Sequence, residues 1–104
     1  AYQTTKASAK AIDAYRQLLS LEQATKQQDS QVETLVALGN IYHNDLKDYP
    51  KAIDYFQQSL TISQSIHHRP DQQIILQNLG HSYYRLKDYS SAINFYQQSL
   101  KLAQ

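Results

Sequence analysis

The chain of 104 residues has no cysteine, methionine or tryptophan, and only two glycines and two prolines. Without cysteine there are neither disulfides nor thiolate metal ligands, although this leaves the redox compartment open. So few glycines and prolines leave little material for long irregular loops, and a mostly helical chain is expected. Charge of one sign is also lacking: ten Lys and Arg against nine Asp and Glu leave a net +1, with no basic footprint for a phosphate backbone. No nucleic-acid partner is expected. No apolar run approaches a membrane span and no basic-then-apolar leader opens the sequence, so no membrane partner is expected either. The chain begins at Ala1 without methionine and in mid-repeat, which suggests a piece of a longer protein.

What is present is one stretch written twice. Leu38 to Leu60 reads LGNIYHNDLKDYPKAIDYFQQSL, and Leu79 to Leu100 reads LGHSYYRLKDYSSAINFYQQSL. Gly39 and Gly80 are 41 residues apart, but Ala52 and Ala92 are 40 apart, so the first copy carries one inserted residue. A period between roughly twenty and fifty residues marks a repeat array. An earlier partial copy places Ala11, Ile12 and Asp13 on Ala52, Ile53 and Asp54, with Tyr15 on Phe56 and Leu19 on Leu60.

Five helices are expected. Helix 1 spans about Thr4 to Gln27, with an apolar stripe of Ala11, Tyr15, Leu18 and Leu19 prolonged by Leu21 and Ala24. Ser30 followed by Glu33 reads as a capping box opening helix 2, on which Leu35, Leu38 and Tyr42 share a face, and the helix should stop near Asn44 and Asp45. Asp48-Tyr49-Pro50 opens helix 3, which continues to about His67, proline being accepted in a first turn where its missing N–H has no partner anyway. Arg69-Pro70-Asp71 breaks and restarts the chain into helix 4, which runs to about Leu86 with Leu76, Leu79 and Tyr83 copying the earlier face. Asp88-Tyr89 opens helix 5, where Ala92, Ile93, Tyr96 and Leu100 repeat Ala52, Ile53, Phe56 and Leu60. Glycine in mid-helix costs about 1 kcal/mol of propensity. Gly39 and Gly80 are therefore expected where two helices approach closely, with Ala52 and Ala92 as the matching small patch and Tyr42, Phe56, Tyr83 and Tyr96 filling the space around it.

In Leu38-Gly39, Tyr42, Tyr49, Ala52 and Phe56, and again in Leu79-Gly80, Tyr83, Tyr89, Ala92 and Tyr96, the chain resembles the tetratricopeptide repeat family. Leu35 and Leu76 stand where that family often has tryptophan, and the period of 40 to 41 exceeds the family's usual 34 or so, implying helices longer by about a turn each. Longer repeats of this kind look like those of regulators of heterotrimeric G-protein signalling, kinesin light chains and bacterial signalling proteins, the run from Asp71 to Gly80 being similar to the bacterial ones. The resemblance implies an all-α superhelix of about five antiparallel helices in one array. Residues 1–28 would be the second helix of a partial repeat, followed by repeats at 30–68 and 70–104.

The resemblance also implies that the first helices of successive repeats line a concave face along which a protein or peptide partner lies, in a cytoplasmic scaffold or signalling protein. On helix 2 that face carries Glu33, Val36, Asn40, His43 and Asn44; on helix 4 it carries Ile74, Gln77, His81, Tyr84 and Arg85. Asn40 and Gln77 suit a peptide backbone and Arg85 a carboxylate. The competing reading is ordinary solvated surface, the default for exposed polar groups. Chaperone-binding members use a clamp of lysine, asparagine and arginine; Asn40 and Asn78 occupy matching places, but Val36 stands where the lysine is needed, so chaperone tails are not expected as ligands. No phosphate loop, zinc-protease motif or nucleophile elbow is present. His43 with His81, and the His67-His68 pair, lack acidic or cysteine ligands at regular spacing, so no metal and no other cofactor is expected. The favoured function is non-enzymatic binding. The alternatives are a spacer or self-associating element with exposed apolar ends, or sensor repeats of a multidomain signalling enzyme.

Overall fold

The computed structural model describes residues 6–67 and 69–103. Among them are five α-helices: α1 (Lys6–Ala24), α2 (Gln28–Asn40), α3 (Tyr49–Ser65), α4 (Arg69–Arg85) and α5 (Tyr89–Ala103). A π-helical turn, Ile41–Asp45, continues α2. Each helix packs chiefly against its neighbours in sequence, and the all-α stack forms a slab of 37 × 37 × 15 Å.

Two copies of one packing device hold the stack together. A β-carbon on Gly39 would fall 2.5 Å from the Phe56 ring, and one on Gly80 would fall 2.6 Å from the Tyr96 ring, so each glycine admits an aromatic ring against its helix backbone. Beside these contacts Tyr42 stacks on Tyr55 with centroids 5.5 Å apart, and Tyr83 on Phe95 at 5.4 Å. Offset stacking at this separation is the arrangement that ring quadrupoles favour. Ala52 and Ala92 are buried, as are Leu35, Leu38, Leu76 and Leu79.

The inserted residue of the first copy lies in the π-helical turn. In the second copy the chain leaves α4 with Leu86 N–H donating to Ser82 C=O, four residues back, and Asp88 N–H to Tyr83 C=O. In the first copy Leu46 N–H donates to Ile41 C=O, five back, and Asp48 N–H reaches Tyr42 C=O at 2.8 Å, six back. One wide turn thus absorbs one extra residue and returns the chain to the same exit, so that Asp48 and Asp88 both cap the next helix by accepting from Lys51 N–H and Ser91 N–H.

Several expected boundaries move for one reason. Each connection passes through a residue with left-handed backbone, Lys26 (φ 58°), Lys47 (φ 52°), His67 (φ 57°) and Lys87 (φ 66°). At Lys26 this ends α1 at Ala24, not near Gln27, and Gln27 N–H turns back to Glu22 C=O. Gln31 N–H already donates to Gln27 C=O, so α2 begins at Gln28 and Ser30 and Glu33 lie inside it; the expected capping box does not form, and Gln27 makes no side-chain cap bond. His67 likewise stops α3 at Ser65. The expected starts near Thr4, the end at Gln104 and the His68 half of the histidine pair lie outside the described residues.

The buried stripe of α1 also differs from expectation. Leu18 and Leu21 are exposed, whereas Ser8, Ile12 and Glu22 are buried with Tyr15 and Leu19 partly so. The line from Ser8 through Ile12, Tyr15 and Leu19 to Glu22 follows the helical period and meets α2 and the π-turn. Thr34 Oγ1 donates to Glu22 Oε1 at 2.7 Å, and Ser8 Oγ donates to Asp45 Oδ2 at 3.0 Å. At the other end of the stack the same residue types take opposite environments. Leu60 is 4 % exposed but Leu100 is 64 %, and Leu46 is 8 % exposed but Leu86 is 43 %.

Candidate functional site

The sequence places two helical stripes side by side. Glu33, Val36, Asn40 and His43 follow one face of α2 into the π-turn, and Asp71, Ile74, Asn78 and His81 follow one face of α4. A groove runs between them with two hollows. The first, about 120 Å³, is lined by Asn40, His43, Asn44, Asn78 and His81, with Phe56 as its floor. The second, about 200 Å³ and nearer the start of both helices, is lined by Val32, Glu33, Val36, Asp71, Ile74 and Ile75.

The polar cleft is held by bonds that cross between elements. His43 Nδ1 lies 3.0 Å from Ser82 Oγ, tying the π-turn to α4, and the Tyr96 hydroxyl lies 2.8 Å from His81 Nδ1, tying α4 to α5. Both imidazoles meet tyrosine rings edge to face: His43 with Tyr49 at 5.1 Å and His81 with Tyr96 at 5.4 Å. Burial pushes the His43 pKa below the ordinary imidazole value, with the cationic form of His81 and the charges of Arg85 and Lys47 acting in the same direction. Burial, and then Tyr84, raises the Tyr96 hydroxyl above the usual phenol value. A neutral His43 keeps one ring nitrogen as acceptor, so this cleft offers amide and imidazole groups to a hydrogen-bonding ligand.

Of the residues singled out in the sequence, Asn40, His43, Asn44 and His81 come together in the cleft. Arg85 lies near enough to bear on His43 but does not line the hollow, and Gln77 is exposed outside both hollows. Tyr84 is exposed and packs edge to face on Tyr89 at 5.5 Å, the counterpart of the His43–Tyr49 contact. The sequence reading passed over Ser82 and Val32. Ser82 had a signal: it is a fully buried polar residue where the first copy has Ile41.

Hairpins stacked along a glycine-seated aromatic seam, with successive first helices flanking an open groove, define a helical-repeat protein. The tetratricopeptide repeat family model matches residues 30–104, and the chain belongs to that family. Repeats of this family generally mediate protein–protein interaction and are typically non-enzymatic. No curated protein matches the chain. Among the described residues no helix is long and apolar enough to cross a membrane.

Proposed function

We propose that this chain is a non-enzymatic interaction module of the long-repeat variety, in which the groove between α2 and α4 receives a protein or peptide partner within a cytoplasmic scaffold or signalling protein. In this reading residues 1–28 close one repeat, and 30–68 and 70–104 are the two that follow. The observation that carries it is the open cleft in which Asn40, His43, Asn44, Asn78 and His81 converge from two repeats. Amides and imidazoles that line an open hollow match a peptide backbone, which offers one donor and one acceptor at nearly every residue.

The test is selection of binders from a displayed peptide library, followed by measurement of the selected peptides on a variant with Asn40, His81 and Arg85 all changed to alanine. Binding should be lost while the helical circular dichroism is kept. Unchanged binding by the triple variant would remove the groove from consideration.

One observation favours a second reading, end-to-end self-association. Leu86, Tyr89, Ile93 and Leu100, on α5 and in the turn before it, are exposed, and a contiguous apolar surface built from such side chains would suit a second copy of the chain. Sedimentation over a range of concentrations decides this: a strictly monomeric chain argues against it.

A further inference from the structure

The two hollows lie on one seam but differ in chemistry. Val32, Val36, Ile74 and Ile75 wall the one near the helix starts, and Ile74 remains 54 % exposed, so apolar surface there is still open to an occupant. The other is lined by amides, imidazoles and a ring floor, and no carboxylate is among its lining residues. The charged groups that bear on His43 from the surrounding elements are His81 and Arg85 of α4 and Lys47 of the turn, all cationic when charged. Neighbouring carboxylates are engaged elsewhere: Asp45 accepts from Ser8 on α1, and Asp48 and Asp88 cap α3 and α5. Glu33, exposed on the rim of the apolar hollow, gives the opposite end of the groove a negative charge.

The separation of the hollows sets a ruler. Val36 and His43 are seven positions apart on the helix. At roughly 1.5 Å per residue that is about 10 Å. An extended peptide covers the same distance in about three residues at roughly 3.3 Å each.

We propose that the groove recognises an extended peptide segment bearing an aliphatic side chain and an acidic side chain about three positions away. The aliphatic group sits among Val32, Val36, Ile74 and Ile75, and the acidic group sits in the cleft between His43 and His81, facing Arg85. The proposal rests on the groove reading above and names the ligand class for it. An acidic group placed at the apolar hollow meets Glu33, so charge selects the register of the bound segment as well as its composition.

The test uses a set of synthetic glycine–serine peptides, each with one leucine and one glutamate spaced one to six positions apart. Control peptides carry lysine for the glutamate, or serine for the leucine. Binding is read by fluorescence anisotropy at neutral pH and low salt. The spacing of three should bind tightest, about ten-fold or more above its lysine and serine controls, the scale on which charge-assisted bonds and single apolar anchors discriminate. Ile74→Asp should remove the dependence on leucine, and Arg85→Glu should reverse the preference for glutamate over lysine. Both positions are exposed, and circular dichroism checks that the fold survives.

Peptides that bind without regard to spacing or charge, and are still lost on the triple alanine variant, would overturn this inference and leave the groove reading standing. Failure of every peptide to bind at millimolar concentration would overturn the inference; library-selected peptides insensitive to the triple variant would separately overturn the groove reading.

Discussion

The ring of Phe56 occupies the space that any side chain on Gly39 would need, and Phe56 itself is only 1 % exposed. The same relationship recurs between Gly80 and Tyr96, but Tyr96 is partly exposed. Alanine gains about 1 kcal/mol of helix propensity over glycine, whereas overpacking a sealed core costs about 1–3 kcal/mol. Gly39→Ala should therefore destabilise the chain by up to about 2 kcal/mol. Gly80→Ala should cost less, because the tyrosine has room to shift. Urea denaturation of the two variants side by side checks the order, and equal or inverted effects would contradict it.

Thr34 Oγ1 donates to the buried Glu22 carboxylate at 2.7 Å. Thr34→Val keeps the shape and removes that donor, leaving a buried acceptor short of a bond, a change that costs about 1–3 kcal/mol. Glu22→Gln keeps an oxygen to accept from the threonine and should cost less. Thermal melts of the two variants should separate them in that order.

The π-helical turn predicts a tolerated deletion. Removing Asn44 gives the first copy the residue count of the second, and Ile41–Asp45 should close into an ordinary α-helical exit like that of α4. Asp48 N–H should keep its bond to Tyr42 C=O, now five residues back. The Ser8–Asp45 bond is disturbed in exchange, so net stability should change by no more than about 1.5 kcal/mol, the worth of one such bond. A structure of the deletion variant, with its denaturation midpoint, provides the check.

His43 makes stability depend on pH in a definite direction. Its folded pKa lies below 6.5, so between the two values the unfolded chain binds more protons than the folded one. The contribution is fully present above the ordinary value and is lost as pH falls through 6.5 toward the folded value. His43→Gln should flatten the acid side of the stability profile measured by denaturation between about pH 7.5 and 5. A profile of undiminished slope would show that other groups set it.

The helices and the aromatic seam were legible because they depend on local pattern: the repeated glycine, alanine and ring positions recur at fixed offsets wherever the device is used. The turns were less so. A sequence short of glycine hides its helix ends, because Lys26, Lys47, His67 and Lys87 take left-handed conformations that lysine and histidine do not advertise. That is why Ser30 looked like a cap when the helix had already begun. Leu60 and Leu100 show a different limit: the same residue at matched positions of two similar copies is buried in one and exposed in the other, which no local pattern records. In the groove, the face of each helix could be read from its period. The His43–Ser82 bond could not, since it joins residues 39 apart whose identities are not repeated between copies.

Packing that runs from each helix mainly to its sequence neighbours has a consequence for motion. Loss of an end helix removes one interface, whereas loss of α3 removes two, so opening should begin at the ends and travel inward. Amide protons of α3 are then the slowest to exchange with solvent and those of α1 and α5 the fastest. The groove spans both regimes: its walls belong to interior helices, while Tyr96, which holds His81 in place, belongs to an end helix.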